Sequence, residues 1–95
     1  MTVFFGAMTD KKMDDFEQTV QYVRNELKEA SDESKAKIYG LYKQATVGDV
    51  NIERPSGLLD WTGKAKWDAW KACEGISQEE AKVQYCSYVN DLSSA

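Results

Sequence analysis

The 95-residue sequence carries 12 Lys and Arg residues against 16 Asp and Glu residues, with two cysteines, one proline and no histidine. A chain of this length forms one domain with one modest core, which excludes a large multi-domain enzyme. Because histidine is the commonest general base and transition-metal ligand, and two cysteines cannot complete a four-ligand zinc site, histidine triads and zinc catalysis are excluded as well.

The acidic balance limits the partners that the chain is expected to bind. A net charge of -4 gives no overall cationic field of the kind that nucleic-acid binding needs, so we expect no nucleic-acid partner. Cys73 and Cys86 are too few for a disulfide framework, and we interpret both as small buried side chains in a reduced, cytoplasmic setting.

The N-terminal residues 3–8 are apolar, but the run is too short for a signal peptide or a membrane span. We therefore predict a flexible N-terminal extension over residues 1–12 and a single domain over residues 13–95.

Helical spacing of apolar residues begins directly after this extension. A first helix is predicted from the stripe of residues three and four apart, which are Met13, Phe16, Val20, Val23 and Leu27. A second helix is predicted to begin at Ser31, a good N-cap followed by acidic residues, and to end near Val47, before Gly48. Its core-facing residues are expected to be Ile38, Leu41 and Ala45.

Residues 48–62 contain the only proline and are predicted to form a long ordered loop. Loops of this length are uncommon without a function, and a spacer between non-adjacent helices is an equal alternative. The prediction of order depends on apolar side chains that the loop is expected to bury, namely Val50, Ile52, Leu58, Leu59 and Trp61.

Two further helices are predicted in the C-terminal third. One begins after Thr62 and Gly63 and ends before Gly75, and the next begins at Ser77, whose Ser-x-x-Glu spacing to Glu80 fits a capping box. The pattern predicts an all-α bundle of four helices in which the three tryptophans mostly serve packing.

The clearest candidate for a binding site is formed by Tyr39, Tyr42 and Lys43, which spacings of three and four place on one helix face. Two aromatic rings beside an ammonium suit the stacking of a base and the binding of a phosphate. The alternative is two packed tyrosines at a helix boundary beside a solvated lysine. Lys64 and Lys66 form a second basic group but cannot share one helix face.

Three segments carry a resemblance to a known family. They are residues 39–51 (Tyr-Gly-Leu-Tyr-Lys-Gln-Ala-Thr-Val-Gly-Asp-Val-Asn), residues 53–55 (Glu-Arg-Pro) and residues 59–70 (Leu-Asp-Trp-Thr-Gly-Lys-Ala-Lys-Trp-Asp-Ala-Trp). Together they closely resemble the acyl-CoA-binding protein family, and the resemblance extends from about Asp14 to Leu92.

The resemblance implies a four-helix bundle of up-down-down-up topology that binds medium- to long-chain fatty acyl-CoA esters without chemical change. Such a protein is an intracellular carrier and pool buffer rather than an enzyme, with no catalytic residue, cofactor or metal. It is expected to act as a cytoplasmic monomer that contacts membranes or acyl-CoA-using enzymes transiently.

The resemblance also implies roles for individual residues. The CoA head group is expected to contact six polar side chains, which are Tyr39, Tyr42, Lys43, Lys66, Tyr85 and Arg24. The acyl chain is expected to lie in an apolar groove lined by Phe16, Val20, Val23, Ile38 and Ala65.

Some positions depart from the family pattern. Lys35 and Ala36 stand where many members have an apolar pair, and Glu29 stands where many have a lysine. These departures bear on chain-length preference, and they motivate an alternative function: a protein-interaction module on the same fold with reduced or narrowed ligand binding.

Overall fold

The computed structural model describes residues 11–27 and 29–94, and within these ranges the chain forms four α-helices. They are α1 (Lys11–Glu26), α2 (Asp32–Thr46), α3 (Trp61–Lys71) and α4 (Gln78–Ser94). Helix α2 packs against both α3 and α4, and α1 packs against α4. Within the described ranges every regular element is a helix, so the predicted all-α, four-helix fold is confirmed.

The first described residues of the chain lie in a helix. Helix α1 begins at Lys11 and so includes the last two residues of the predicted extension, while the domain boundary at residue 13 stays a prediction. Residues 1–10 of the predicted flexible extension lie outside the described residues.

The core is built from the apolar stripes that the sequence pattern predicts. Phe16 and Val20 of α1 are buried, and Val23 and Leu27 pack against the core at its edge. The other two main contributors are α2 and α4, whose buried residues include Ile38, Leu41, Ala45, Ala81, Tyr85 and Val89.

Side-chain caps define where three of the helices begin. The Oγ of Ser31 accepts from the Ser34 N–H at 3.1 Å, and the Oγ of Ser77 accepts from the Glu80 N–H at 3.0 Å, as the sequence predicted. Helix α3 begins at Trp61 because Asp60 caps it by accepting from the Gly63 N–H at 3.0 Å. The predicted start after residue 63 is therefore wrong by three residues.

The prediction that the loop before α3 buries its apolar residues is wrong. Val50 is partly buried, but four of the side chains expected inside are exposed: Ile52, Leu58, Leu59 and Trp61. The loop is held by polar contacts from α3 instead of by a small core of its own.

Those polar contacts come from two tryptophans and one ion pair. Trp67 Nε1 donates to the Ile52 carbonyl at 2.8 Å, and Trp70 Nε1 donates to the Gly48 carbonyl at 2.7 Å. The Arg54 guanidinium donates two hydrogen bonds to the Asp68 carboxylate, at 2.8 and 2.9 Å. The tryptophans thus differ in role, since Trp70 is buried, Trp67 is half-buried and Trp61 is exposed.

A buried glutamine ties the α3–α4 connection to the end of α2. Gln44 Nε2 donates to Asp49 Oδ1 at 2.9 Å and to the Ile76 carbonyl at 2.7 Å. Asp49 Oδ1 also accepts from the Gly75 N–H at 2.9 Å, and these bonds hold the pKa of Asp49 below its usual value. Gly75 has a φ of 94°, a conformation that favours glycine.

The two cysteines are unpaired and differ in burial. Cys73 is buried as predicted, and this burial raises the pKa of its thiol. Cys86 is only partly buried, so the prediction that both cysteines are buried side chains is confirmed for Cys73 alone. None of the helices described is long and apolar enough to cross a lipid bilayer.

Candidate functional site

A groove of about 300 Å³ lies between the C-terminal half of α1 and the face of α2 that carries its tyrosines. We call it the tyrosine groove. Apolar residues of α1 and α2 form part of its wall, and aromatic and basic side chains from all four helices complete it. Its lining consists of Val20, Val23, Arg24, Leu27, Lys35, Ile38, Tyr39, Tyr42, Lys66 and Tyr85.

Most of the side chains selected from the sequence line this groove. They include the head-group candidates Arg24, Tyr39, Tyr42, Lys66 and Tyr85, together with the apolar candidates Val20, Val23 and Ile38. The remaining candidates, which do not line the groove, are Phe16, Lys43 and Ala65.

Phe16 supports the tyrosines from behind. Its ring packs edge-on against Tyr85 with centroids 5.1 Å apart, and lies nearly parallel to Tyr42 at 6.2 Å. Offset and edge-to-face contacts of this kind stabilise aromatic clusters beyond the burial of their area. Phe16 therefore holds the rings of Tyr42 and Tyr85 in position.

Two lysines of the basic groups lie over aromatic rings. Lys66 Nζ is 5.1 Å from the centroid of Tyr39, so its charge is held at the groove. Lys43 Nζ is 4.9 Å from the centroid of Trp70. Tyr39, Tyr42 and Lys43 are neighbours on α2 at spacings of three and four residues, as the sequence predicts. The Lys43 ammonium, however, lies over the ring of Trp70 on α3.

Tyr85 provides a phenol that stays protonated. Burial is the main cause that raises its pKa to about 12, and the nearby Cys86 and Tyr42 also raise it, whereas the Arg24 guanidinium acts in the opposite direction. At neutral pH the Tyr85 hydroxyl is therefore a hydrogen-bond donor on the groove wall.

The raised pKa of Tyr85 predicts a loss of stability at high pH. The pKa in the folded state is about 12, above the ordinary value of 10.0, so the folded protein holds this proton more tightly than the unfolded chain. The stabilisation is fully present below pH 10 and decreases as the pH rises towards 12. We expect the urea midpoint to fall over that interval, measured by far-ultraviolet circular dichroism.

Tyr85→Phe is the control for this prediction. Because the variant has no phenolic proton at position 85, its urea midpoint should fall less over the same interval, while all other side chains are the same in both proteins. Parallel pH dependence in the two proteins would contradict the assignment.

A second cavity of about 390 Å³ continues from the tyrosine groove towards the start of α3. We call it the side cavity. It shares Lys35 and Lys66 with the groove, and Ala36 and Ala65 contribute small apolar side chains to its lining. The remaining lining residues are Asp32, Trp61 and Thr62. Ala65, a predicted acyl-groove residue, thus belongs to this extension.

Six lining residues were not among the selected site residues, and three of these, Asp32, Ala36 and Thr62, line the side cavity but not the groove. Leu27 was assigned only to the core, although its spacing from Val20 and Val23 already put it on the same stripe. Lys35 was noted as a departure from the family pattern, and it lies on the shared wall of the two cavities. Trp61 was expected in the interior, and no sequence signal located it at the side cavity.

The arrangement favours an elongated ligand with a planar ring, an anionic group and an apolar tail. Tyrosine faces bind planar rings, Lys66 and Arg24 attract anions, and the aliphatic wall accepts hydrocarbon. Across the part of the chain that the structure describes, no group of three or more cysteine or carboxylate side chains is arranged to hold a metal ion.

Comparison with known proteins gives a consistent picture. The sequence profile of the family described as "Acyl CoA binding protein" matches residues 13–89. The chain is 51% identical over 79 residues to acyl-CoA-binding domain-containing protein 1 of Oryza sativa subsp. japonica, covering 83% of this chain and 86% of the relative. It is 47% identical to the acyl-CoA-binding protein of Ricinus communis, covering 83% of this chain and 87% of that protein.

A longer relative and two solved structures extend the comparison. Acyl-CoA-binding domain-containing protein 3 of Oryza sativa subsp. japonica is 51% identical, but the matched region spans only 50% of its length against 83% of this chain. The crystal structure of acyl-CoA-binding protein 2 of Oryza sativa superposes with a TM-score of 0.78 at 42% identity, covering 87% of this chain and 91% of that chain. The solution structure of the acyl-CoA-binding protein from Babesia bovis T2Bo gives 0.74 at 44% identity, covering 85% and 92%.

Proposed function

The chain belongs to the acyl-CoA-binding protein family, and we propose that it binds medium- to long-chain fatty acyl-CoA esters as an intracellular carrier and pool buffer. The family is one of ligand-binding proteins rather than enzymes. As parts of the same proposal, the protein acts as a cytoplasmic monomer and contacts membranes or acyl-CoA-using enzymes transiently.

The observation that carries this proposal is a single groove whose wall is aromatic and basic in one part and apolar in another. Tyr39, Tyr42 and Lys66 line the same groove as Val20 and Ile38. A CoA ester combines a planar adenine and several phosphates with an alkyl chain, so it matches both halves of this wall.

The head group is proposed to contact the polar part of the groove. Adenine stacks on the rings of Tyr39 and Tyr42, and phosphate groups bind Lys66 as a point charge and Arg24 through the N–H donors of its guanidinium. Tyr85 donates a hydrogen bond from its protonated phenol. Lys43 also contributes in this proposal, although its ammonium must leave the ring of Trp70, 4.9 Å away, to reach the ligand.

The acyl chain is proposed to follow the apolar wall into the side cavity. Val20, Val23 and Ile38 supply the first part of this path, Phe16 backs it and Ala65 extends it. Burial of a methylene contributes about 0.8 kcal/mol, so a fully covered palmitoyl chain contributes roughly 12 kcal/mol before the costs of association. Partial coverage together with the head-group contacts is sufficient for tight binding.

Isothermal titration with palmitoyl-CoA tests the proposal directly. We expect a dissociation constant below about 1 μM, with free CoA binding at least about tenfold more weakly because it lacks the apolar chain. A series of acyl-CoA esters of increasing length, titrated against the wild-type protein and Lys35→Leu, measures the effect of Lys35 on chain-length preference.

The interaction-module alternative makes the opposite prediction for the same titration. Absence of heat with every ester, together with capture of a partner protein whose binding ignores acyl-CoA, would replace the carrier proposal by that alternative.

A further inference from the structure

Three large apolar side chains are exposed next to one another at the start of α3. Leu58 is 74% exposed, Leu59 is 81% exposed and Trp61 is 71% exposed. We call these three residues the apolar ridge. Single exposed apolar residues are common on soluble proteins, but adjacent side chains with this degree of exposure mark a surface that another phase or molecule covers.

The ridge is held in place by its own backbone contacts. The Asp60 N–H donates to the Gly57 carbonyl at 3.3 Å, and the Asp60 side chain caps α3 through the Gly63 N–H. Trp67 and the Arg54–Asp68 pair fix the preceding part of the loop. The apolar side chains are therefore presented outwards by a braced turn, so little ordering entropy is lost when they are covered.

The ridge borders the ligand path. Trp61 is both a ridge residue and a lining residue of the side cavity, which shares Lys35 and Lys66 with the tyrosine groove. Whatever covers the ridge therefore lies at one end of the proposed acyl path.

The charges around the ridge are of both signs and nearly balance, which favours a zwitterionic surface. Arg54 and Asp68 form an ion pair at 2.8 Å and compensate each other. The other charged side chains near the ridge are the acidic Asp32, Glu53 and Asp60 and the basic Lys35, Lys64 and Lys66. Lysines beside an apolar protrusion bind lipid phosphates while the apolar side chains enter the acyl region.

From these observations we infer that Leu58, Leu59 and Trp61 form a docking surface for a phospholipid bilayer. Three exposed apolar side chains on one turn suit insertion into lipid, and an indole with one polar N–H prefers the headgroup level. The inference rests on the proposed function for its purpose: docking by the ridge brings the end of the acyl path to the bilayer, where acyl-CoA is collected or released.

Vesicle flotation of the protein without acyl-CoA tests the docking surface. The probes are phosphatidylcholine vesicles with and without phosphatidylserine, and the test variant is Leu58→Ser combined with Leu59→Ser. We expect the wild-type protein to float with the vesicles and the double variant to partition at least about tenfold less. Brominated phosphatidylcholine should quench tryptophan fluorescence in the wild-type protein, since Trp61 is exposed on the ridge.

Val83→Ser is the matched control, because Val83 is an exposed apolar residue on α4. Its vesicle partitioning should equal that of the wild-type protein, and the double variant should bind palmitoyl-CoA as the wild-type protein does. Wild-type protein that does not float, or equal partitioning of the wild-type protein and the double variant, would overturn the inference.

Analytical ultracentrifugation tests whether a second copy of the chain, rather than a bilayer, covers the apolar ridge. Self-association that depends on Leu58 and Leu59, without vesicle binding, would assign the ridge to a second copy of the chain and overturn the bilayer proposal. Since flotation is measured without acyl-CoA, vesicle binding that persists when palmitoyl-CoA titration fails would refute the proposed function and leave the docking surface standing.

Discussion

Replacing Lys66 by alanine is expected to weaken palmitoyl-CoA binding by roughly 10- to 100-fold. A hydrogen bond to a charged group contributes about 1.5 to 3 kcal/mol, and each 1.4 kcal/mol corresponds to about a factor of ten in affinity. Lys66 lines both the tyrosine groove and the side cavity, and its ammonium lies 5.1 Å over the ring of Tyr39. Isothermal titration measures the loss.

Lys64→Ala is the matched control for this variant. Lys64 lies two residues earlier on α3 and therefore on a different face, so its removal deletes the same charge without removing a groove residue. We expect near wild-type affinity. Equal weakening by the two variants would mean that long-range attraction, rather than a contact at Lys66, accounts for the effect.

Lys43→Ala tests whether the Lys43 ammonium binds a phosphate of the ligand or stays over the ring of Trp70. If Lys43 leaves Trp70 to bind a phosphate, its removal weakens binding to an extent comparable with Lys66→Ala. If Lys43 stays on Trp70, the affinity is retained and Lys66 is the principal lysine of the head-group site. Circular dichroism checks that each variant keeps its helices.

Replacing Trp70 by alanine is expected to lower the free energy of unfolding by about 3 to 5 kcal/mol, the usual cost of deleting a large buried aromatic side chain. Trp70 is 2% exposed, and its Nε1 donates to the Gly48 carbonyl at 2.7 Å. The variant loses core packing, frees that carbonyl and removes the ring beneath Lys43. Urea unfolding followed by circular dichroism measures the change.

Trp61→Ala is the control with the same change of residue. Because Trp61 is exposed, its removal should change the free energy of unfolding by no more than about 0.5 kcal/mol. Comparable destabilisation by the two variants would show that the position of Trp70 in the core is not the cause of its effect.

The helices were predictable because their signals are local. Ser31 and Ser77 cap helices through N–H groups three residues away, and buried stripes such as Phe16 and Val20 repeat at the helical period. The start of α3 was predicted too late because the cap is Asp60, and Gly63 leaves room for its carboxylate.

The candidate site was predictable in residue type and less so in placement. Tyr39, Tyr42 and Lys66 line one groove, and their contact with the CoA head group stays a prediction from the family resemblance. Spacing on α2 gave no information on whether the Lys43 ammonium would turn to the tyrosines or to Trp70, since that choice depends on the neighbouring helix α3.

By itself, the sequence determined the four helices, two of their caps, the family and the chemical character of the proposed ligand. Tertiary structure alone decided which apolar residues are buried in the loop before α3, how the side cavity joins the groove and where each lysine lies. The physical reason is distance along the chain: Trp67 reaches Ile52 across 15 residues and Trp70 reaches Gly48 across 22. Helical periodicity assigns faces within one helix, and only packing determines what covers each face.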